Sequence, residues 1–262
     1  MKALWKLGKG PSVGAATRLR RSSSPPLSKG LTIGFYNSLR CPIRLHDGIE
    51  SIGYSAFAGC IFTNFRVPPL ITVIPDRLLY GCLSTFSVEM PLNITEIGNQ
   101  AFSNCHCLRN VAIPPNAVIG IDIFGGSTDL LQLFGSVAEM KRNLKNRFDE
   151  LPVHSSVYFQ PYHQGVLQRL ITLGDELDPT GNQQDCLGMT PLHILACLSV
   201  HNLEVYRLIV AKYPANLITV DRWGALPILY AFWGYAQLRL YNSFLRVINL
   251  STPIMNSIGL SW

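Results

Sequence analysis

Long apolar runs are missing from this sequence of 262 residues. The longest candidate runs from Ala225 to Trp233 and is interrupted by Pro227, whereas a membrane-spanning helix needs roughly 18 apolar residues. We therefore predict no membrane span and interpret this run as a buried helix. Charged side chains are also scarce, at 15% of the residues, so a large share of the chain is available to form a core.

Acidic residues are missing from the first 46 positions, which hold nine Lys or Arg residues. From Asp47 onward the chain carries 13 basic and 16 acidic side chains, so the net charge of +6 comes from the N-terminal segment. Because no basic face remains in the rest of the chain, we predict no nucleic-acid partner. Residues 1–42 are predicted to be a disordered basic tail, and a transit peptide for organelle import is the alternative.

Motifs for catalysis and cofactor binding are also missing. The sequence has no G-x-S-x-G elbow, and Gly125-Gly126-Ser127 lacks the Lys and the spacing of a phosphate-binding loop. Cys105-His106-Cys107 is the cluster that most resembles a metal site, but a structural zinc needs a second ligand pair and none is evident. We therefore predict no enzyme activity, no cofactor and no metal. The less favoured alternative is a metal-binding protein or a Cys/His-dependent enzyme.

What the sequence does contain is a repeat of 22 to 23 residues. Successive copies share an apolar position, a second apolar position five residues later and a small residue three residues after that, followed by a short alternating run that ends in proline. The three positions are occupied by Ile52, Ile74, Ile97 and Ile119, then by Phe57, Leu79, Phe102 and Phe124, and then by Cys60, Cys82, Cys105 and Ser127. Such a period predicts a solenoid, in which each unit buries its apolar face against its neighbours.

Three of the seven cysteines recur at one position of this repeat. This recurrence predicts a buried slot for a small apolar side chain. Disulfides between stacked cysteines remain open, but we favour a reduced, intracellular ladder.

The alternation Val111-Ala112-Ile113 and its equivalents predict one strand per repeat. The phrase from Ile94 to Pro114, which reads I-x-x-I-G-x-x-A-F-x-x-C-x-x-L-x-x-V-x-I-P, resembles the BspA-like class of leucine-rich repeats. The resemblance covers residues 43–135 and implies a curved parallel-β solenoid. It also leaves open a secreted or surface adhesin.

The pattern changes after the fourth repeat. Apolar residues at helical spacing predict one amphipathic capping or linker helix in residues 136–160, ended by Pro152. The segment from Gly188 to Ala196 resembles the ankyrin signature G-x-T-P-L-H-x-A, in which Thr190 and His193 tie the loop to the first helix. Residues 161–248 are therefore predicted to be ankyrin-like repeats and residues 249–262 an irregular tail.

Together these patterns predict a repeat protein of mixed α/β and all-α class, in which a short leucine-rich parallel-β solenoid precedes an incomplete ankyrin helical stack. Such a protein is predicted to be a non-catalytic interaction scaffold that binds a protein partner in the cytoplasm. The predicted contact residues point outward beside the strands or lie at the ankyrin loop tips, and they are Arg66, Glu89, Ala112, Asp185 and Asp221.

Overall fold

Short strands dominate the first half of the protein. The computed structural model describes residues 45–159, 177–199 and 202–233, together with the backbone of one strand at residues 30–31. The strands are β1 (Gly30–Leu31), β2 (Ser51–Ile52), β3 (Asn64–Arg66), β4 (Val73–Ile74), β5 (Ser87–Glu89), β6 (Glu96–Ile97) and β7 (Val118–Ile119).

These strands pair in parallel between successive repeats and form two rows. In the first row β4, β6 and β7 lie side by side, and Ile74, Ile97 and Ile119 occupy one register. In the second row β3 pairs with β5, with Phe65 opposite Val88. Ile74 and Ile97 are fully buried and Ile119 is half-buried, so the predicted isoleucine column is confirmed.

The first two repeats each have two strands where the sequence pattern predicts one. The predicted strand corresponds to β3 and β5, and in the following repeat it is reduced to a single bridge between Ser87 and Asn110. The additional strand lies at the isoleucine position. Its two residues are too few to show an alternation, which explains why the pattern does not reveal it.

The turns between the two rows also hold neighbouring repeats together. Backbone N–H groups of one repeat donate to carbonyls of the next, as Phe57 N does to Leu78 O and Leu79 N to Ala101 O. Two positions in every turn have a left-handed backbone. The first is occupied by Ser55, Arg77, Gln100 and Asp122, and the second by Gly59, Gly81, Asn104 and Gly126.

Helices form the rest of the described chain. They are α1 (Thr128–Phe134), α2 (Val137–Lys145), α3 (Pro152–Phe159), α4 (Pro191–Cys197), α5 (Leu203–Lys212) and α6 (Pro227–Trp233), with 3₁₀ turns at Pro179–Asn182 and Pro214–Leu217. The helix α3 packs against α4 and the first 3₁₀ turn, and α4 packs against α5 and α6.

The single helix predicted for residues 136–160 is wrong, because two helices occupy this range. The first, α2, ends at Lys145, and Pro152 begins α3 instead of ending the preceding helix. Proline suits the first position of a helix because the N–H it lacks would have no partner there. The apolar stripe is in place, since Met140 and Leu144 are fully buried.

The helices cover the second strand row, and the buried side chains of both halves form one continuous apolar core. The Tyr158 hydroxyl of α3 donates to Val88 O at 2.6 Å, and the ring of Phe86 lies 5.7 Å from that of Tyr230 on α6. Strand β1 falls within the segment predicted to be a tail. The rest of that tail, residues 161–176, 200–201 and 234–248 of the predicted ankyrin-like repeats, and the predicted tail at 249–262 lie outside the described residues.

Candidate interaction surfaces

The second strand row points its outward side chains at the helices. Asn64 Nδ2 donates to Cys197 O at 2.6 Å, and Ser199 donates from its backbone N–H to the Glu89 carboxylate. The Ala112 N–H donates to the Tyr158 hydroxyl at 3.2 Å. The strand face is therefore already occupied within the same chain.

Three strand residues that were predicted to be exposed for partner binding are in fact buried or half-buried. Glu89 is 7% exposed and Ala112 is 1% exposed. Arg66 is half-buried, and its guanidinium pairs with the Asp47 carboxylate at 2.7 Å. The alternation correctly indicates that Glu89 and Ala112 leave the repeat core, but it carries no information about the helices that then cover them.

The two loop aspartates are buried as well, which corrects the prediction that they lie at exposed tips. Asp185 Oδ1 accepts from the backbone N–H groups of Leu187 and Met189 at 2.9 and 2.8 Å. The Asp221 carboxylate makes the same two contacts with the N–H groups two and four residues later. Aspartate commonly stabilises turns in this way, so both residues shape their loops. The recurrence of Asp-x-x-Gly 36 residues apart is the sequence signal for this role.

Arg147 is the centre of a buried polar cluster that the sequence pattern does not reveal. Its guanidinium donates to Asp185 Oδ2 and Asn110 Oδ1, both at 2.8 Å, and to Val111 O at 2.9 Å. Burial alone would lower the pKa of Arg147, but the neighbouring Asp185 carboxylate raises it above its ordinary value. The Arg147 side chain therefore joins Asn110 and Val111 of the repeats to the loop that contains Asp185, which precedes α4. In sequence it is one of four basic residues among apolar ones, with nothing to distinguish it.

The Thr190–His193 pair lies where the loop enters α4, as predicted. Thr190 N donates to His193 Nδ1 at 3.2 Å, and His193 Nε2 contacts Ala225 O at 3.1 Å. Since a carbonyl can only accept, Nε2 carries the proton. The ring thus ties its own loop to the next one, and the predicted structural role of both residues is confirmed.

Replacing His193 by Leu, the residue found 36 positions later at Leu229, leaves the Ala225 carbonyl and the Thr190 N–H without this partner. We expect a loss of about 2 kcal/mol in the free energy of unfolding, because both groups are buried. Urea unfolding measures it, with His106→Leu at an exposed position as the control. A loss no larger than in the control would contradict the assigned role.

The cysteine column is a set of hydrogen-bond donors as well as a small-residue slot. The Cys82 thiol donates to Phe57 O at 3.1 Å, the Cys105 thiol to Leu79 O at 3.2 Å, and the Ser127 hydroxyl to Phe102 O at 3.1 Å. Burial raises the pKa of Cys105 to about 12, so the thiol is protonated. Ser127, at the equivalent position of the fourth repeat, therefore makes the same hydrogen bond to the preceding repeat.

Cys105→Ser should accordingly be tolerated better than Cys105→Val. We expect the serine variant to lose about 1 kcal/mol or less, because its hydroxyl can make the same bond. The valine variant should lose about 2 kcal/mol more, since it cannot donate to Leu79 O and adds volume to a packed site. Thermal unfolding of both proteins compares them, and equal stability would contradict the hydrogen-bonding role.

The Cys105-His106-Cys107 cluster is split by the fold. Cys105 is buried in the column, whereas His106 and Cys107 are exposed. Within the described ranges, no group of three or more His, Cys, Asp or Glu side chains is arranged to hold a metal ion. Among the cysteines of these ranges, Cys82, Cys105, Cys107, Cys186 and Cys197 form no disulfide.

The first strand row presents the most exposed apolar surface of the repeats. On its outer side Val73, Glu96 and Val118 lie in one register, and Val118 is 70% exposed. In the turn beyond the row, Tyr54 and Ile121 occupy equivalent positions and are 59% and 77% exposed. We call these five residues the outer face. The outer face thus combines two sets of equivalent repeat positions, and Glu96 supplies its one carboxylate.

Comparisons with known proteins agree with this repeat geometry. Residues 33–143 match, in six copies, the family model described as BspA type leucine rich repeat region. The match extends beyond the predicted limits of 43 and 135 at both ends. A search of curated proteins finds no significant match.

One similar solved structure is a leucine-rich repeat protein from Bacteroides ovatus, which is 26% identical to this chain over the matched region. The match covers 30% of this chain and 21% of that one, with a TM-score of 0.28. This chain therefore spans about a fifth of the length of that protein. Among the described helices, none has the length and apolar character needed to cross a bilayer. The chain therefore has a leucine-rich repeat fold that combines strands and helices, and its residues 33–143 are similar to the BspA type of these repeats.

Proposed function

We propose that this protein is a non-catalytic protein-interaction module. The leucine-rich repeat match supports a role in protein interaction or at a surface. The single observation that carries the proposal is the outer face, where the equivalent positions Val73, Glu96 and Val118 of successive repeats are all exposed. Repeat proteins recognise partners through such extended rows of exposed positions.

The outer face is the better candidate for partner binding because the opposite strand row is covered. Ser87 and Asn110 are fully buried beneath the helices, as is most of Glu89. A partner would have to displace these helices to reach them. On the outer face, by contrast, the side chains of Val73, Glu96 and Val118 are exposed without any rearrangement.

We also propose that the helical half is an incomplete ankyrin-like stack that extends the leucine-rich solenoid. Three observations support this proposal. The segment Gly188–Ala196 resembles the signature, with Leu195 at its alanine position. Helix α4 begins within this segment, α5 follows, and α6 begins 36 residues after α4. In this interpretation the helical half serves as part of the scaffold.

The proposed binding surface can be tested with Val118→Glu combined with Ile121→Glu. Two carboxylates added to exposed apolar positions should reduce partner capture by about tenfold or more, while the stability stays within about 0.5 kcal/mol of the unmodified protein. Quantitative proximity labelling with the full chain measures the loss for each captured protein. The matched control is Leu92→Glu, an exposed leucine of the repeats outside the outer face. Equal labelling by both variants would contradict the assignment.

We further propose that the protein works inside the cell, since the buried thiols of Cys82 and Cys105 form hydrogen bonds to backbone carbonyls and no disulfide. A secreted protein usually forms its disulfides during export. Titration of the thiols in protein from its native source should find them free. Recovery of disulfide-linked cysteines would instead support the adhesin alternative.

A further inference from the structure

His154 is a fully buried histidine with one unsatisfied nitrogen. It lies on α3, and its Nε2 contacts Gln183 O at 3.1 Å, in the segment that leads from the first 3₁₀ turn to α4. Because that carbonyl can only accept, Nε2 carries the proton and Nδ1 is a bare lone pair. Nδ1 has no hydrogen-bond partner. The neutral ring therefore fits the site, whereas protonation would place a positive charge and a second N–H in a fully buried position.

The charges around His154 also disfavour a second cation. Among the described residues, the charged groups that act on its ring are Asp185 and Arg147. The Asp185 carboxylate is already engaged, since Oδ2 accepts from Arg147 and Oδ1 accepts from two backbone N–H groups. A positive charge on His154 would thus lie close to the fully buried Arg147 with one shared carboxylate between them.

Helix α3 connects this site to the covered strand row. One turn after His154, the Tyr158 hydroxyl donates to Val88 O and accepts from the Ala112 N–H. The same helix therefore holds the strand row through Tyr158 and the loop before α4 through His154. Loss of the His154 contact would separate α3 from the loop, which Arg147 still holds through Asp185, and would loosen the helices that lie over Glu89.

We propose that His154 is an acid-sensitive latch, whose protonation releases α3 from the Gln183–Asp185 loop and uncovers the strand row formed by β3 and β5. This device is independent of the outer face. It would make a second, normally hidden face of the repeats available under acidic conditions.

The direction of the pH effect follows from the buried neutral ring. Burial, with a smaller contribution from Arg147, lowers the pKa of His154 from 6.5 to about 4, against the opposing effects of Asp185 and of the backbone of Gln183 and Met189. The stabilisation is therefore complete above pH 6.5 and is lost as the pH falls from 6.5 towards 4. A shift of this size corresponds to about 300-fold in the equilibrium between closed and open forms. Burial lowers the pKa of His193 too, but both of its ring nitrogens have partners.

The test is hydrogen exchange of the full chain between pH 7 and pH 3.5, with rates corrected for intrinsic pH dependence. In the unmodified protein, residues 179–189 should lose protection as the pH falls below about 5, while Glu96–Ile97 of β6 stays protected. His154→Gln keeps an N–H donor for Gln183 O but cannot become charged, so its loss of protection should move down by one pH unit or more. The control His106→Gln, at an exposed position, should behave as the unmodified protein does.

Two results would overturn the latch. Simultaneous loss of protection in residues 179–189 and in β6 would indicate general acid unfolding, and an unshifted transition in His154→Gln would exclude this histidine. If His154→Gln does not fold at pH 7, NMR titration of the unmodified protein's imidazole rings decides the question. The latch requires His154 to protonate in the same step that opens residues 179–189, and titration near pH 6.5 in the closed protein contradicts it.

Discussion

Replacing Arg147 by Met should lower the free energy of unfolding by about 3 to 5 kcal/mol. This is the largest effect that we expect from the replacement of one charged side chain in this protein. Methionine removes the guanidinium that joins Asp185, Asn110 and Val111 O. The Asp185 carboxylate then stays buried without its cation, and the Val111 carbonyl loses a donor. Guanidinium chloride unfolding at pH 7 measures the loss.

The matched control is Arg142→Met, five residues earlier on α2. Arg142 is 72% exposed and makes only a surface pair with Glu139, so its replacement should change the stability by about 0.5 kcal/mol or less. Addition of Asp185→Asn to Arg147→Met should recover part of the loss, because an amide needs no counter-ion and can still accept from the loop N–H groups. A loss below about 1 kcal/mol for Arg147→Met would show that the cluster does not join the two halves.

Gly98→Ala should lose about 3 kcal/mol, because the backbones of neighbouring repeats approach each other closely at this residue. A methyl group built at Gly98 would lie 2.4 Å from Asp76 Oδ1, 2.5 Å from Asp76 N and 2.7 Å from the Pro75 carbonyl carbon. Two of these atoms belong to the backbone of the preceding repeat and cannot rotate away. The repeats would therefore have to separate locally, which overpacks the site and weakens the pairing of β4 with β6.

Thermal and urea unfolding of Gly98→Ala measure this effect, and Glu96→Ala is the control in the same strand. Glu96 is exposed, so its truncation should stay within about 0.5 kcal/mol of the unmodified protein. If Gly98→Ala is as stable as the control, successive repeats are not in contact at this turn and the register of β4, β6 and β7 is wrong.

The repeat core could be predicted from the sequence because its signal is periodic. Four isoleucines and four Phe or Leu residues recur together, and identical spacing places them in identical environments along a stack. The cysteine position was only partly predictable. Its small size suggests a slot, but the hydrogen bond to the preceding repeat becomes evident only when Cys105 and Ser127 are seen in equivalent positions.

The second strand of each repeat and the two helices in residues 136–160 could not be predicted in the same way. A strand of two residues such as Val73–Ile74 shows no alternation, and its stability comes from the repeats on either side. Pro152 is compatible with the end of one helix or the start of the next, and the tertiary packing of α3 on α4 decides between them.

The predicted contact residues show a different limit of sequence patterns. Alternation indicates that Glu89 and Ala112 leave the repeat core, and loop spacing indicates that Asp185 and Asp221 lie in turns. Neither pattern indicates which other segment lies opposite, because that depends on contacts between residues more than 100 positions apart, such as Glu89 with Ser199. Whether Arg66 or the other four residues bind a partner stays a prediction.

Thiol accessibility of the two strand rows tests most directly whether the helices cover one row and leave the other open. Ser87→Cys and Val118→Cys are prepared separately in a Cys107→Ser background, which removes an exposed thiol, and each is treated with a maleimide reagent under native conditions. Ser87 is fully buried and Val118 is 70% exposed. Val118→Cys should therefore react at least about 100-fold faster than Ser87→Cys, whose labelling should require opening of the helical half. Equal, rapid labelling of both positions would contradict the account.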